Sequence, residues 1–437
     1  MTTLATFPVK PETRPYLDAF AGAAGEPEWL AARREEGLAR FAELGFPSRR
    51  SENWRYLDLR GLEAHPLLPS VMGQPMGIPN GLALDDNAAR LVLVDGCFSA
   101  VLSATAALPS GVWLGSTRQA IAERPGLVRA ALGGVHQSFA ALNAAFFADG
   151  FVLDLAPGAA LDRPIEIVHL ASGAADASLH TRSLIRLGAG ARATVLEIFA
   201  GPRGDDGRYW RNDVAVWQLA DGAALTRVAL VEESAAAVHL GEVAATLGAG
   251  ATLDGFVALF GGGTVRHEAS VTLAGHGAQC RIDGAFLVSG TEEANIVTAI
   301  DHAATGGTTG ELVKGVAAGR GHGAFQGRIV VREGAQQTDA RQTSRNLILG
   351  RRASIDTKPE LEILADDVRC AHGASVGELD EAALFYLRAR GIPTEEARRI
   401  LVEGFLAEPV EGIADPAIRE HLLRRLSQRL ARLEDVA

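Results

Sequence analysis

The sequence predicts a mainly β protein. A right-handed parallel β-helix core, residues 151–377, sits between an N-terminal helical or mixed region, 1–150, and a C-terminal helical region, 378–437. Two textures predict this order. From about 151 to 365, short β-branched or alternating runs are cut by Gly-Ala or Gly-X-Gly, as in GAGARATVLEIF, ADGAALTRVALV and GAGATLDGFVALF. Taking the glycine before Ala as a corner marker gives Gly158, Gly190, Gly222, Gly250, Gly277 and Gly323, spaced by 32, 32, 28, 27 and 46 residues. Closely spaced glycines disfavour helix, whereas short strands with tight corners accept them. Strand–corner units that cannot bury an apolar face alone stack as a solenoid. A β-sandwich is the second architecture, and the drifting repeat does not choose between the two. After 378 the helical period returns.

Within residues 26–45, Trp29, Leu30, Leu38, Phe41 and Leu44 share a helical face, and Gly45 followed by Pro47 ends it. SRRSENWRYLDL (48–59) breaks the pattern. LVLVDG (91–96) reads as a strand, and a helix is expected to finish near Asp149-Gly150. At the other end, Asp380 caps a helix stopped by Gly391. Thr394 is expected to cap a second helix with the stripe Ala397, Ile400, Leu401 and Phe405. Asp415-Pro416 opens a third, with the seam Ile418, Leu422, Leu426, Leu430 and Leu433, and Arg419, Arg424, Arg425, Arg429 and Arg432 around the rest.

With 437 residues and a formal charge of −11, the chain is no general nucleic-acid coat, because phosphate neutralisation needs a basic surface. The longest charge-free stretch, 130–148, contains Gln137 and Asn143 and is a poor membrane span. The N-terminus shows no basic region followed by an apolar core, so a cytoplasmic location is expected. Three distant cysteines, Cys97, Cys280 and Cys370, are no disulfide framework.

There is no GxxxxGK[ST], HExxH or CxxC. One GxSxG match, Gly373–Gly377 around Ser375, lacks the α/β context of a nucleophile elbow, and a Gly-rich strand exit is the plainer reading. Cys280 and Cys97 read as core filler, and His302 as structural. The compact metal-compatible run is DDVRCAHGAS: on a strand, Cys370 and His372 point to one face and could supply two ligands to iron or zinc, half of a site.

The runs GRGHGAFQGRIVVREGAQQTDARQTSRNLILG (319–350) and ASIDTKPELEILADDVRCAHGASVGELDEAALFYLRARGI (353–392) strongly resemble the SufB/SufD family of iron–sulfur cluster assembly proteins. SRRSENWRYLDL, FAALNAAFFADG and DHAATGGTTGELVKGV extend the likeness over nearly the whole chain. The resemblance implies the same β-helix fold and a non-catalytic subunit of a SufB–SufC–SufD complex whose ATPase is SufC, in keeping with the missing P-loop. It implies that the helix around Leu384, Phe385, Tyr386, Leu387, Arg390, Gly391 and Ile392 docks the SufC-type ATPase. It also implies that the last strands join a SufB-type subunit, placing His372, with Cys370 beside it, where iron or a nascent cluster is handled. No tightly bound cofactor is expected in the isolated chain, only transient iron or cluster at the complex interface. A homodimer is expected when the chain is alone. The alternative is a β-helix enzyme acting on polysaccharides.

Overall fold

The computed structural model describes residues 10–22, 25–70, 76–84, 89–105, 108–131, 137–173, 176–202 and 207–433. Its helices are α1 (Arg14–Ala19), α2 (Glu28–Leu44), α3 (Arg60–Ala64), α4 (Thr117–Glu123), α5 (Pro125–Ala131), α6 (Ser138–Phe146), α7 (Glu381–Ala389), α8 (Thr394–Glu411) and α9 (Pro416–Leu430). Four short strands precede the core: β1 (Leu68–Pro69), β2 (Arg90–Val94), β3 (Cys97–Phe98) and β4 (Val112–Ser116). The core strands are β5 (Phe151–Leu155), β6 (Ile165–Leu170), β7 (Ala177–Leu187), β8 (Arg192–Ala200), β9 (Tyr209–Leu219), β10 (Ala224–Glu232), β11 (Val238–Leu247) and β12 (Thr252–Gly261). They continue as β13 (Thr264–Leu273), β14 (Gln279–Val288), β15 (Glu293–His302), β16 (Thr308–Ala318), β17 (His322–Val331), β18 (Thr338–Leu349), β19 (Ser354–Ile363) and β20 (Val368–Gly377).

Successive core strands alternate between two sheets. One runs β19-β17-β15-β13-β11-β9-β7-β5-β4, with β1 beside β7, and the other β20-β18-β16-β14-β12-β10-β8-β6-β2-β3. From β5 to β20 each strand pairs in parallel with the strand two places on, which is a solenoid and excludes the sandwich. Between the sheets runs an apolar interior that includes Leu153, Ile185, Val195, Trp217, Leu253, Val271, Cys280 and Ile329.

The repeat is carried by a column of corners. Gly158, Gly190, Gly222, Gly250, Gly277 and Gly306 have φ between 61° and 73°, where a Cβ is disfavoured. Each donates its N–H to the corner of the next rung, Gly158 to Ala189 O and Gly306 to Gln336 O. Gly323, expected in this column, is not a corner: it lies inside β17, where a side chain would collide with the Phe286 ring. The column passes instead through Gly306 to Gln337, a non-glycine residue at φ 61° whose N–H reaches Asp367 O. With these two positions the spacing stays regular and the 46-residue gap disappears.

The helical regions cover opposite faces. The N-terminal helices pack Tyr16, Phe41, Phe46 and Phe139 against Trp210 and Leu240 of the first sheet, and Leu30 and Leu38 are buried as expected. The C-terminal helices pack Val402, Leu406, Ile418, Leu422 and Leu426 on Val228, Leu230, Phe256 and Ala258 of the second. Lys314 of β16 pins α8 through Glu408 and sits 4.2 Å from the Phe405 ring centre.

Three expectations for this region are corrected. Thr394 is the first residue of α8, not its cap, which is Pro393. The buried stripe of α8 is Ala397, Val402, Leu406 and Val410, so Ile400 turns outward. Arg425 is buried and paired with Glu232, because α9 lies across the strand end where Glu232 needs a cation. Asp415 caps α9 as expected, its Oδ1 accepting from Ile418 N at 3.0 Å.

Candidate functional site at the open end of the solenoid

The two ends of the solenoid differ. At the N-terminal end, antiparallel pairings of β4 with β5 and β3 with β2 close the sheets. At the other end, among the described residues, β19 pairs only with β17 and β20 only with β18, so both sheets finish on ten-residue strands with one hydrogen-bonding edge unpaired. The chain then leaves through α7, and α8 turns back against β16 and β14. Of the eight large apolar side chains exposed among the described residues, six follow residue 362: Ile363, Leu364, Val376, Phe385, Tyr386 and Ile400. Long, flat, open edges flanked by exposed apolar groups invite another strand.

Cys370 and His372 lie on this terminal strand, in register with Ala340 and Gln342 of β18. Val368 and Cys370 pack against the solenoid interior, so by alternation the same face carries His372. The shared face predicted for the pair is therefore present, and it is the inner face of the last rung, left open by the absence of a rung beyond it. Cys370 is half-buried and His372 exposed. Partial burial pushes the Cys370 thiol up, helped by Asp339 and opposed by a backbone contact at Ala340, so a metal there must displace a proton. Among the described residues no three of His, Cys, Asp and Glu stand together as a metal site. Ser375 lies on the same extended strand and not on a strand-to-helix turn. His302 is buried, its Nε2 2.8 Å from Thr309 Oγ1.

Below His372 the interior is polar. Gln342 Nε2 donates to Glu311 Oε2 at 2.5 Å, while Gln342 Oε1 and Glu311 Oε1 are buried without a partner. Gly327 on the facing strand makes room for this pair, since a Cβ there would overlap the Gln342 amide. Burial drives the Glu311 carboxyl up to about 7, against the opposing pull of the nearby Thr298 hydroxyl and of the Gln342 amide. An acid raised in the fold favours the native state when protonated; that stability is complete below its unfolded value and lost as pH rises through about 7. Glu311→Gln is therefore expected to raise unfolding stability at about pH 8 by about 1–3 kcal/mol relative to wild type, with little change at about pH 4. Urea unfolding at the two pH values checks this; an equal effect at both contradicts it.

Deeper in the core, burial raises Glu197 and Glu233, but their cations win and hold each near 2. Glu197 meets Arg227 at 2.6 Å and His169 at 2.9 Å; Glu233 meets Arg211 at 2.6 Å and His239 at 3.0 Å. Both groups are fully buried inside the solenoid. The polar interior was missed in the sequence because a polar residue at every second strand position reads as solvent-facing.

The second surface is α7. Asp380 caps it as predicted, accepting from Ala382 N and Ala383 N. Gly391, at φ 87°, ends it, with Gly391 N bonded to Arg388 O and Ile392 N to Leu387 O, the paired bonds of a left-handed C-terminal cap. Of the residues assigned to docking, Leu384 is only 4% exposed and anchors the helix, and Leu387 and Ile392 are half-buried. Phe385 and Tyr386 point out, at 72% and 56% exposure, and Arg390 lies 4.4 Å from the Tyr386 ring centre.

The fold is a parallel β-solenoid with helical flanks and a His/Cys pair on its last strand, and sequence comparison gives the family. Residues 169–405 match the SufBD core domain of SUF-system iron–sulfur cluster assembly, and residues 85–167 match the SufBD N-terminal region. The chain belongs to the SufB/SufD family. It is 31% identical over 401 residues to the iron–sulfur cluster assembly protein SufD of Escherichia coli, covering 91% of this chain and 92% of that one. It is 26% identical over 412 residues to a SufBD family protein of Synechocystis, covering 92% and 91%. A SufD of Bacillus subtilis is 31% identical over 186 residues, 43% of each chain. Within the family the likeness is thus to SufD, and the role supported is iron–sulfur cluster assembly. Among the described residues no helix is long and apolar enough to cross a membrane.

Proposed function

We propose that this chain is a non-catalytic scaffold subunit of a SufB–SufC–SufD complex, in which a SufB-type subunit extends the open solenoid end and a SufC-type ATPase docks on α7. The observation that carries this reading is the pair of unpaired ten-residue edges on β19 and β20. Main-chain hydrogen bonds to an added strand supply affinity, and alternate side chains set the partner. Iron or a nascent cluster is the cargo. His372 and Cys370 offer it an imidazole and a thiol from one side, and thiolates of the partner complete the ligand set. In isolation the same edges pair with a second copy. The family assignment disfavours a polysaccharide-active solenoid.

The test is light scattering after gel filtration of the chain, alone and with its matching SufB-type and SufC-type proteins. A homodimer alone, replaced by a stoichiometric mixed complex, is expected. A folded chain that engages neither partner would overturn the scaffold reading.

A further inference from the structure

Parallel register makes Gln342 the inward neighbour of His372, and strands about 4.8 Å apart bring such side chains within reach. The Gln342 amide is already half used. Its Nε2 donates to Glu311 Oε2, which fixes the amide's orientation and leaves Oε1 as a buried acceptor without a partner. His372 stands one rung outward on the same face, exposed, and among the described residues its imidazole makes no hydrogen bond. A neutral imidazole carries one N–H donor and one free nitrogen, and the partner of the N–H decides which nitrogen is free. A buried acceptor below and an imidazole above are complementary. The site is built to hold this arrangement, because Gly327 leaves the space that the Gln342 amide fills.

We infer that Gln342, itself held by Glu311, is a positioning residue for His372: when the imidazole turns inward from its exposed position, Gln342 Oε1 accepts its N–H and so leaves the other ring nitrogen toward the open edge. This rests on the reading of His372 as the group that meets the cargo. A ligating imidazole whose second nitrogen is tied is fixed in tautomer and orientation and is the more basic ligand. Glu311 is the anchor of the relay, since without it the amide is free to flip and offer a donor to His372 in place of an acceptor.

The experiment reads the His372 tautomer directly, without metal. The full chain is labelled with 15N-histidine, and ring nitrogen shifts are recorded at mildly alkaline pH, the His372 signals being those lost in His372→Asn. Wild type is expected to show a single tautomer. Gln342→Leu is expected to show two averaged tautomers, because the acceptor is gone. The exchanged pair Glu311→Gln with Gln342→Glu keeps an acceptor beneath His372 and is expected to restore one tautomer, which a role confined to packing does not predict. Identical His372 shifts in all three proteins overturn the pairing, whatever cluster assembly does. Shifts that follow the expected pattern, together with normal cluster assembly by His372→Ala, overturn the functional reading of His372 and leave the pairing standing.

Discussion

His372→Ala is expected to lower cluster formation by the assembled three-protein complex by about tenfold or more while leaving the complex intact. The two effects separate because of where the side chain sits. His372 is exposed on β20, so its loss opens no core cavity. The strand is held by its ladder with β18, ten residue pairs long, to which an imidazole contributes little. On the proposed reading, what disappears is the imidazole that β20 offers the cargo beside the Cys370 thiol. The thiol of Cys370, pushed up by partial burial, is the poorer remaining ligand at neutral pH because it is mostly protonated. Anaerobic reconstitution of clusters on the complex, followed by absorbance and iron content, measures the outcome. Normal cluster yield from a correctly assembled His372→Ala complex would remove His372 from the site. Cys370→Ser is the companion variant, expected to have the smaller effect.

The corners show why the solenoid was legible and where it blurred. A rung corner needs φ near +65°, which glycine reaches without strain, and Gly158, Gly190, Gly222, Gly250 and Gly277 printed that need into the sequence at nearly constant spacing. The column was lost where Gln337 occupies the corner and where Gly323 serves a different purpose, clearing space for Phe286. One residue type thus answers two physical demands, and composition does not separate them. The open end was legible only as a motif: CAHGAS placed Cys370 and His372 on one face, but nothing in the spacing says that no rung follows. The Glu311–Gln342 pair beneath them was not legible, since alternation of polar and apolar residues carries no sign of which face is inside.

The same distinction between pattern and placement governs α7. A helical stripe through Leu384 and Leu387 looks like a docking ridge, yet Leu384 is buried at the base of α7, which packs on α8. A charge there breaks the helix away from its base and tests stability, not docking. Phe385 and Tyr386 are the side chains left to a partner. Phe385→Glu with Tyr386→Glu is expected to weaken binding of the SufC-type ATPase by about a hundredfold or more, the loss of about 3 kcal/mol typical of two central aromatic anchors. Homodimer formation and the SufB-type contact should persist, because the proposed function assigns both to the edges of β19 and β20 and not to α7. Circular dichroism and the unfolding midpoint should match wild type, since both positions are solvent-exposed and the Asp380 cap and Gly391 stop remain. Titration calorimetry with the ATPase reads the affinity. Unchanged affinity in a folded double variant would move the ATPase dock away from α7, and parallel loss of the SufB-type contact would mean that one continuous surface serves both partners.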